Sequence, residues 1–255
     1  MYKLLCADMR KIFLNKMFWI VILCVSVLCI GGFSLLELII AKTRDITGMY
    51  ADTTLTLYPS VATIVIGAFV GSCIGMEFRE GTLRNKLAIG AKRSDIFLAA
   101  AIVIAIAASI FQVIATLSAV LFGNLLLDGF NMGVQEIVQS TLVYTAASIA
   151  TAFSFTTVCF GLGNGKISSM ICIMIGVVLK FMCTENISKL YPSSGECALT
   201  GAEYSFCSFI DKYVPFSYLN GGVRYEMSCY AVGCIATVGI AVLVGLMLFQ
   251  RKDMK

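Results

Sequence analysis

The stretch that decides the reading is Glu77-Phe78-Arg79-Glu80-Gly81-Thr82-Leu83-Arg84-Asn85-Lys86-Leu87-Ala88-Ile89-Gly90-Ala91-Lys92-Arg93-Ser94-Asp95. It packs eight charges between two segments that carry none, residues 55–76 and 96–127. Each segment is at least 22 residues long, and about 20 helical residues cross the ~30 Å apolar core of a bilayer. The stretch therefore reads as a short basic loop between two membrane spans. Within it, Gly81 can stop the incoming helix, Thr82 can serve as the N-cap of a new one, and Gly90 can close that one with a left-handed C-cap. Leu83 and Leu87, four apart, then share one face of a short helix while Arg84 and Lys86 point elsewhere. A loop that only reversed the chain would not require a capped helix.

Working outward, 59% of the 255 residues are hydrophobic and 13% charged, and the mean hydropathy is +0.90. Soluble domains run at about 45–50% apolar and about 25% charged, so this is the composition of an integral membrane protein. The expected fold is all-α: a single polytopic domain over residues 1–255, with spans at about 17–40, 55–76, 96–127, 137–160, 167–183 and 229–249. Residues 1–16 read as an amphipathic helix lying in the interface, with Leu5, Met9, Ile12 and Phe13 as its apolar stripe and Asp8, Arg10, Lys11 and Lys16 around it. The apolar run after it is too long for a signal-peptide core, so it is expected to stay as the first span, with Phe18 and Trp19 at headgroup level. Residues 161–166 fit a tight turn; Gly161, Gly163 and Gly165 look like a phosphate loop only until the missing strand and the missing Ser or Thr at Ile167 are noticed. Residues 184–228 form the longest polar region.

Charge sets the orientation. With both termini in the cytoplasm, 13 of the 19 Lys and Arg fall inside, as the positive-inside rule asks. The net charge of +4 thus reports membrane orientation, and no nucleic-acid partner is expected. Gly67, Gly71 and Gly75 align on one helix face and suit close helix packing, within the subunit or across a dimer. Ser109, Gln112 and Thr116 give the third span a polar stripe that suits either a substrate path or hydrogen bonds to neighbouring helices. Glu37 falls near the outer end of the first span. Cys183, Cys197, Cys207 and Cys229 lie in or beside the outer loop, an even number in a compartment where disulfides persist; one or two bridges and free thiols both remain open.

Missing residues narrow the function. With no histidine, rhomboid-like and zinc-protease chemistries lack their base or ligand. Every Asp lies outside the span centres, which removes an intramembrane aspartyl protease. Secondary transporters show charged or broken midplane helices, whereas these span centres are uncharged. The competitors left are an ATP-driven permease, a secondary transporter of unusual kind, and a membrane scaffold or sensor.

The run Glu77 to Leu87, followed by Gly90 and by Arg93-Ser94, resembles the first cytoplasmic loop of type-2 ABC exporter permeases, among them the bacitracin and lantibiotic exporters. The resemblance implies that the short helix is a coupling helix seated on a separate ATPase subunit, with Glu77, Arg79, Gly81, Thr82, Leu83, Arg84, Lys86, Leu87 and Gly90 as the coupling segment. It implies that ATP and Mg are bound by that partner and no cofactor by this chain. It further implies pairing with itself or a related permease, a bacterial cell membrane, a pair of short re-entrant or surface helices in the outer loop, and outward transport of an amphipathic or hydrophobic substrate such as an antimicrobial peptide.

Overall fold

The computed structural model describes residues 2–44, 50–192 and 201–251. All regular structure among them is helical. In hydrocarbon every backbone N–H and C=O must be satisfied within its own segment, so apolar runs of this length fold as helices. Helix α1 (Tyr2–Leu14) leads into α2 (Lys16–Leu23), a π-helical segment Cys24–Gly31 and α3 (Gly32–Arg44). Then come α4 (Asp52–Arg79), α5 (Thr82–Ala88), α6 (Arg93–Leu126), α7 (Val134–Leu162) and α8 (Gly165–Leu190). The short α9 (Ala202–Tyr213) and α10 (Pro215–Gly221) precede α11 (Met227–Gln250). Six helical stretches are long and apolar enough to cross a membrane.

A helix long and apolar enough to cross a membrane covers each of the expected stretches, with different ends. The fifth was expected to stop at residue 183 but continues to Leu190; Glu185 and Lys189 end the apolar run without ending the helix. The third is one unbroken helix of 34 residues, starting at Arg93 with Lys92 at its N-cap. Phe18 was expected at the headgroups and is instead 1% exposed. Its ring lies 5.3 Å from Phe111 and 6.3 Å from Phe69. Trp19 does stay outside, its Nε1 donating to the carbonyl of Phe13 at 2.9 Å.

Helices α4, α6 and α7 form the centre of the bundle, while the first span, α8 and α11 turn most of their surface outward. The tightest contact is α4 against α8. A Cβ built on Gly67 would lie 2.8 Å from the Cys172 carbonyl oxygen, one on Gly71 2.6 Å from the Ser169 Cα, and one on Gly75 2.6 Å from the Gly165 oxygen. The glycine face is thus used inside the subunit, backbone against backbone. Other seams rely on side chains: Phe160 packs edge-on against Phe97 and Phe249 at 5.3 and 4.8 Å, and Thr157 Oγ1 donates to the Ala241 carbonyl at 2.8 Å, joining α7 to α11.

Two ends of the bundle are defined by cross-links. At one, α1 packs on α6, Gly165 abuts Arg79, and Arg93 donates to the carbonyls of Phe249 and Gln250 at 3.3 and 3.0 Å. At the other, Ala51 N–H meets the Gly129 carbonyl at 2.8 Å and Thr53 Oγ1 donates to Glu37 at 2.7 Å, so Glu37 has a hydrogen-bonded place between the first two spans.

That second end carries a cap. Asp211, 4% exposed, accepts hydrogen bonds from Ser217 Oγ at 2.8 Å and from Tyr225 and Tyr191 hydroxyls at 2.9 and 3.3 Å. Burial, reinforced by the hydrogen bonds to Tyr191 and Asp211, pushes the Tyr225 hydroxyl upward from its ordinary pKa, so it stays a donor. Cys183, Cys207 and Cys229 carry free thiols, so no bridge joins these three; Cys183 is buried on α8, turned inward. Cys197 lies outside the described residues.

The α4–α8 contact gives a first prediction. Gly71→Leu has no room for its side chain and is expected to lower the stability of the detergent-solubilised protein by about 1–3 kcal/mol, the usual cost of overpacking. Gly32→Ala, where a Cβ meets nothing within 4 Å, should leave the thermal midpoint unchanged.

Candidate functional site

The loop between α4 and α6 is built around two glycines with positive φ. Gly81, at φ 68°, is itself the N-cap of α5, a backbone that a side chain would strain. Thr82 was expected in that role. It is instead the first helical residue, and its hydroxyl donates back to the Glu77 carbonyl at 3.2 Å, closing the end of α4. Gly90, at φ 91°, closes α5 as the sequence suggests. Gly90 N–H bonds the Leu87 carbonyl at 2.9 Å and Ala91 N–H that of Lys86 at 3.2 Å, the paired bonds of a Schellman motif.

The orientation of α5 differs from expectation. Leu83, only 1% exposed, is part of the protein's own core, and Leu87 packs against that core. Both leucines are consumed inside the subunit. The apolar side chain that α5 turns outward is Ile89, 88% exposed. Around it Arg79, Glu80, Arg84, Asn85 and Lys92 are exposed, which makes the outer edge of the loop a single aliphatic side chain in a largely cationic rim.

Lys86 does not join that rim. Its Nζ lies 2.7 Å from Asp8 Oδ1 on α1 and 3.2 Å from Glu77 Oε1 on α4, with side-chain exposures of 16%, 9% and 10% for the three residues. Lys11, one turn beyond Asp8, reaches the same Glu77 oxygen at 3.4 Å. Two carboxylates and two ammonium groups so compensate one another at the junction of α1, α4 and α5. A cavity of about 30 Å³ beside them is lined by Asp8, Lys11, Asn15, Cys73 and Glu77. Asp8 was expected on the polar side of α1, facing water. It faces inward because its partner, 78 residues away, has no trace in local sequence pattern. A carboxylate one turn before Ile12, on the same side of the amphipathic helix, was the available hint.

The remaining candidates separate from this site. Gln112 is 1% exposed and its Oε1 has no hydrogen-bond partner. Ser109 and Thr116 bond carbonyls one turn earlier on α6, at 2.8 and 3.2 Å. Nothing brings them to the loop.

The chain from residue 4 to 183 matches the family model described as ABC-2 family transporter protein. The chain belongs to the ABC-2 transporter family. The match takes in the interfacial helix, the first four spans, α5 and most of α8, hence every residue of the ion cluster. It identifies this ABC-2 chain as a membrane domain of an ABC transporter. No curated protein matches the sequence.

A second prediction comes from the cluster. Removing one member of a buried ion pair leaves the other charge uncompensated, at a cost of about 3–5 kcal/mol. Lys86→Ala in this ABC-2 chain should therefore unfold well below the wild type in a detergent melt. Lys92→Ala, on the exposed rim, should change stability by no more than about 0.5 kcal/mol.

Proposed function

We propose that this ABC-2 chain is the permease subunit of an ATP-driven exporter, and that its α5 loop docks on a separate ATPase subunit that binds ATP and Mg. The observation that carries the reading is Ile89, an almost fully exposed aliphatic side chain at the tip of a helix whose two ends are fixed by Gly81 and Gly90. In water such a side chain is a liability; in a groove of a partner it is an anchor, with the surrounding Arg79, Arg84 and Lys92 on the rim, where charge steers association more than it adds affinity. Loop and interfacial helix are tied by Lys86, Asp8 and Glu77, so a displacement of α5 by the ATPase reaches α1 and α4 together. Alternating access then follows: nucleotide closes a pair of ATPase subunits, the loops of two permease copies or of two related chains move with them, and the spans open to the far side. The substrate class that suits this family and these uncharged spans is an amphipathic or hydrophobic molecule, with an antimicrobial peptide as first choice. The loop and both termini lie in the cytoplasm of a bacterial cell.

Truncating a well-placed apolar anchor costs about 1 kcal/mol or more, which is on the order of a tenfold loss of affinity. Ile89→Ser should thus weaken co-purification with the partner ATPase and cut export, while expression, insertion and melting temperature stay normal. Wild-type assembly and export by this variant would remove the docking surface from α5. Orientation has its own check. On intact cells a membrane-impermeant maleimide should reach a cysteine introduced by Glu226→Cys, an exposed position at the N-cap of α11, and spare one introduced by Asn85→Cys; the reverse pattern would invert the topology.

A further inference from the structure

Between α8 and α9 runs a groove of about 360 Å³, within the ~300–1,000 Å³ range of small-molecule sites. Helix α8 starts beside Arg79 at the α5 end of the bundle and is 26 residues long, about 39 Å, so the groove lies at the opposite end. We propose that it binds one acyl chain of a zwitterionic phospholipid from the bilayer leaflet on that side.

The first argument is what the groove opens into. Helix α9 is inside out by the standards of a water-facing helix: Phe206 and Phe209 are 66% and 58% exposed while Asp211, on the opposite side, is 4% exposed. Its outward face, which carries Phe206 and Phe209 beside the exposed Glu203 of its first turn, therefore suits the boundary between headgroups and hydrocarbon. Met182, at the edge of the groove on α8, is 63% exposed in the same neighbourhood. The second argument is the polarity gradient along the groove. Leu179, Met182, Phe206 and Ile210 line an apolar part, and Glu185 and Lys189 line a polar one. From Leu179 at the apolar end to Lys189 at the polar end runs about 15 Å of helix, so the groove reaches from headgroup level into the adjoining hydrocarbon of one leaflet. The third argument is charge. Glu185 and Lys189, paired at 2.8 Å and both largely exposed, offer one acidic and one basic group at the polar end, complementary to the ammonium and phosphate of a phosphatidylethanolamine headgroup. Bulk lipid needs no such complement; a retained lipid does.

Tryptophan fluorescence in liposomes tests this. In a Trp19→Phe background, which removes the one native tryptophan, Ile210→Trp places the reporter in the groove and Ile235→Trp places it on the exposed face of α11, where Ile235 is 72% exposed. Liposomes contain increasing fractions of phosphatidylethanolamine brominated along its chains in a background of unbrominated phosphatidylglycerol, which lacks the ammonium group. The groove reporter is expected to reach half-quenching at a several-fold lower mole fraction of brominated lipid than the α11 reporter, and Lys189→Glu is expected to move the groove curve toward the α11 curve. Coincident curves would reduce the groove to ordinary boundary lipid. Quenching of the groove reporter by aqueous iodide instead would show it to be water-filled, and an unchanged curve in Lys189→Glu would overturn the headgroup assignment. Leu179→Trp reads the same groove from the other wall should Ile210→Trp fail to fold. None of these readouts depends on an ATPase, so the docking of α5 and this site stand or fall separately.

Discussion

One ammonium group holds three pieces of chain that are far apart in sequence. Lys86 lies on α5, Asp8 on the interfacial helix and Glu77 at the end of α4, and each is too buried to be left without its counter-charge. That requirement is stringent because a part-dehydrated charge is costly alone and nearly neutral when well paired. It fixes where α1 sits on the bundle, which way α5 rolls, and so which side chain is left outside. Leu83 turns inward and Ile89 outward as a direct result.

Much of this fold is legible in the sequence, and the reason is physical. The bilayer forbids unsatisfied backbone, so length and apolarity alone predict six helices, and they are found at the expected places. The 77–95 loop was equally readable from its charges and its glycines, down to the left-handed turn at Gly90. What the sequence could not convey was the roll of a two-turn helix. Spacing shows that Leu83 and Leu87 share a face but says nothing about whether that face meets the protein or a partner. The same limit hid Lys86 and Asp8: in a list of charges they look like topological markers, and only the fold brings them together.

The distal cap was less readable still. Its organising group, Asp211 on α9, gathers hydroxyls from Tyr191, Ser217 and Tyr225, partners drawn from α10 and from the segments just after α8 and just before α11. No periodicity announces such a set. Charge misled at α8, where Glu185 and Lys189 seemed to lie beyond a span that the helix carries on through. A helix needs apolar residues only while it is in hydrocarbon, so a change in composition marks the edge of the membrane and not the edge of the element.

The glycine contact between α4 and α8 bears on where such a bundle can part. Side-chain seams yield by rotamer changes: the phenylalanines between α6, α7 and α11 can re-nest, and one hydroxyl, that of Thr157, spans the gap. Where Gly71 meets Ser169 and Gly75 meets Gly165 there is no side chain to swing aside, only main chain against main chain. Those two helices form a splint. Since α5 is attached to one end of that splint, the docking proposed for the loop would act on both helices as one body, and the seams left to yield are the aromatic ones on either side of it.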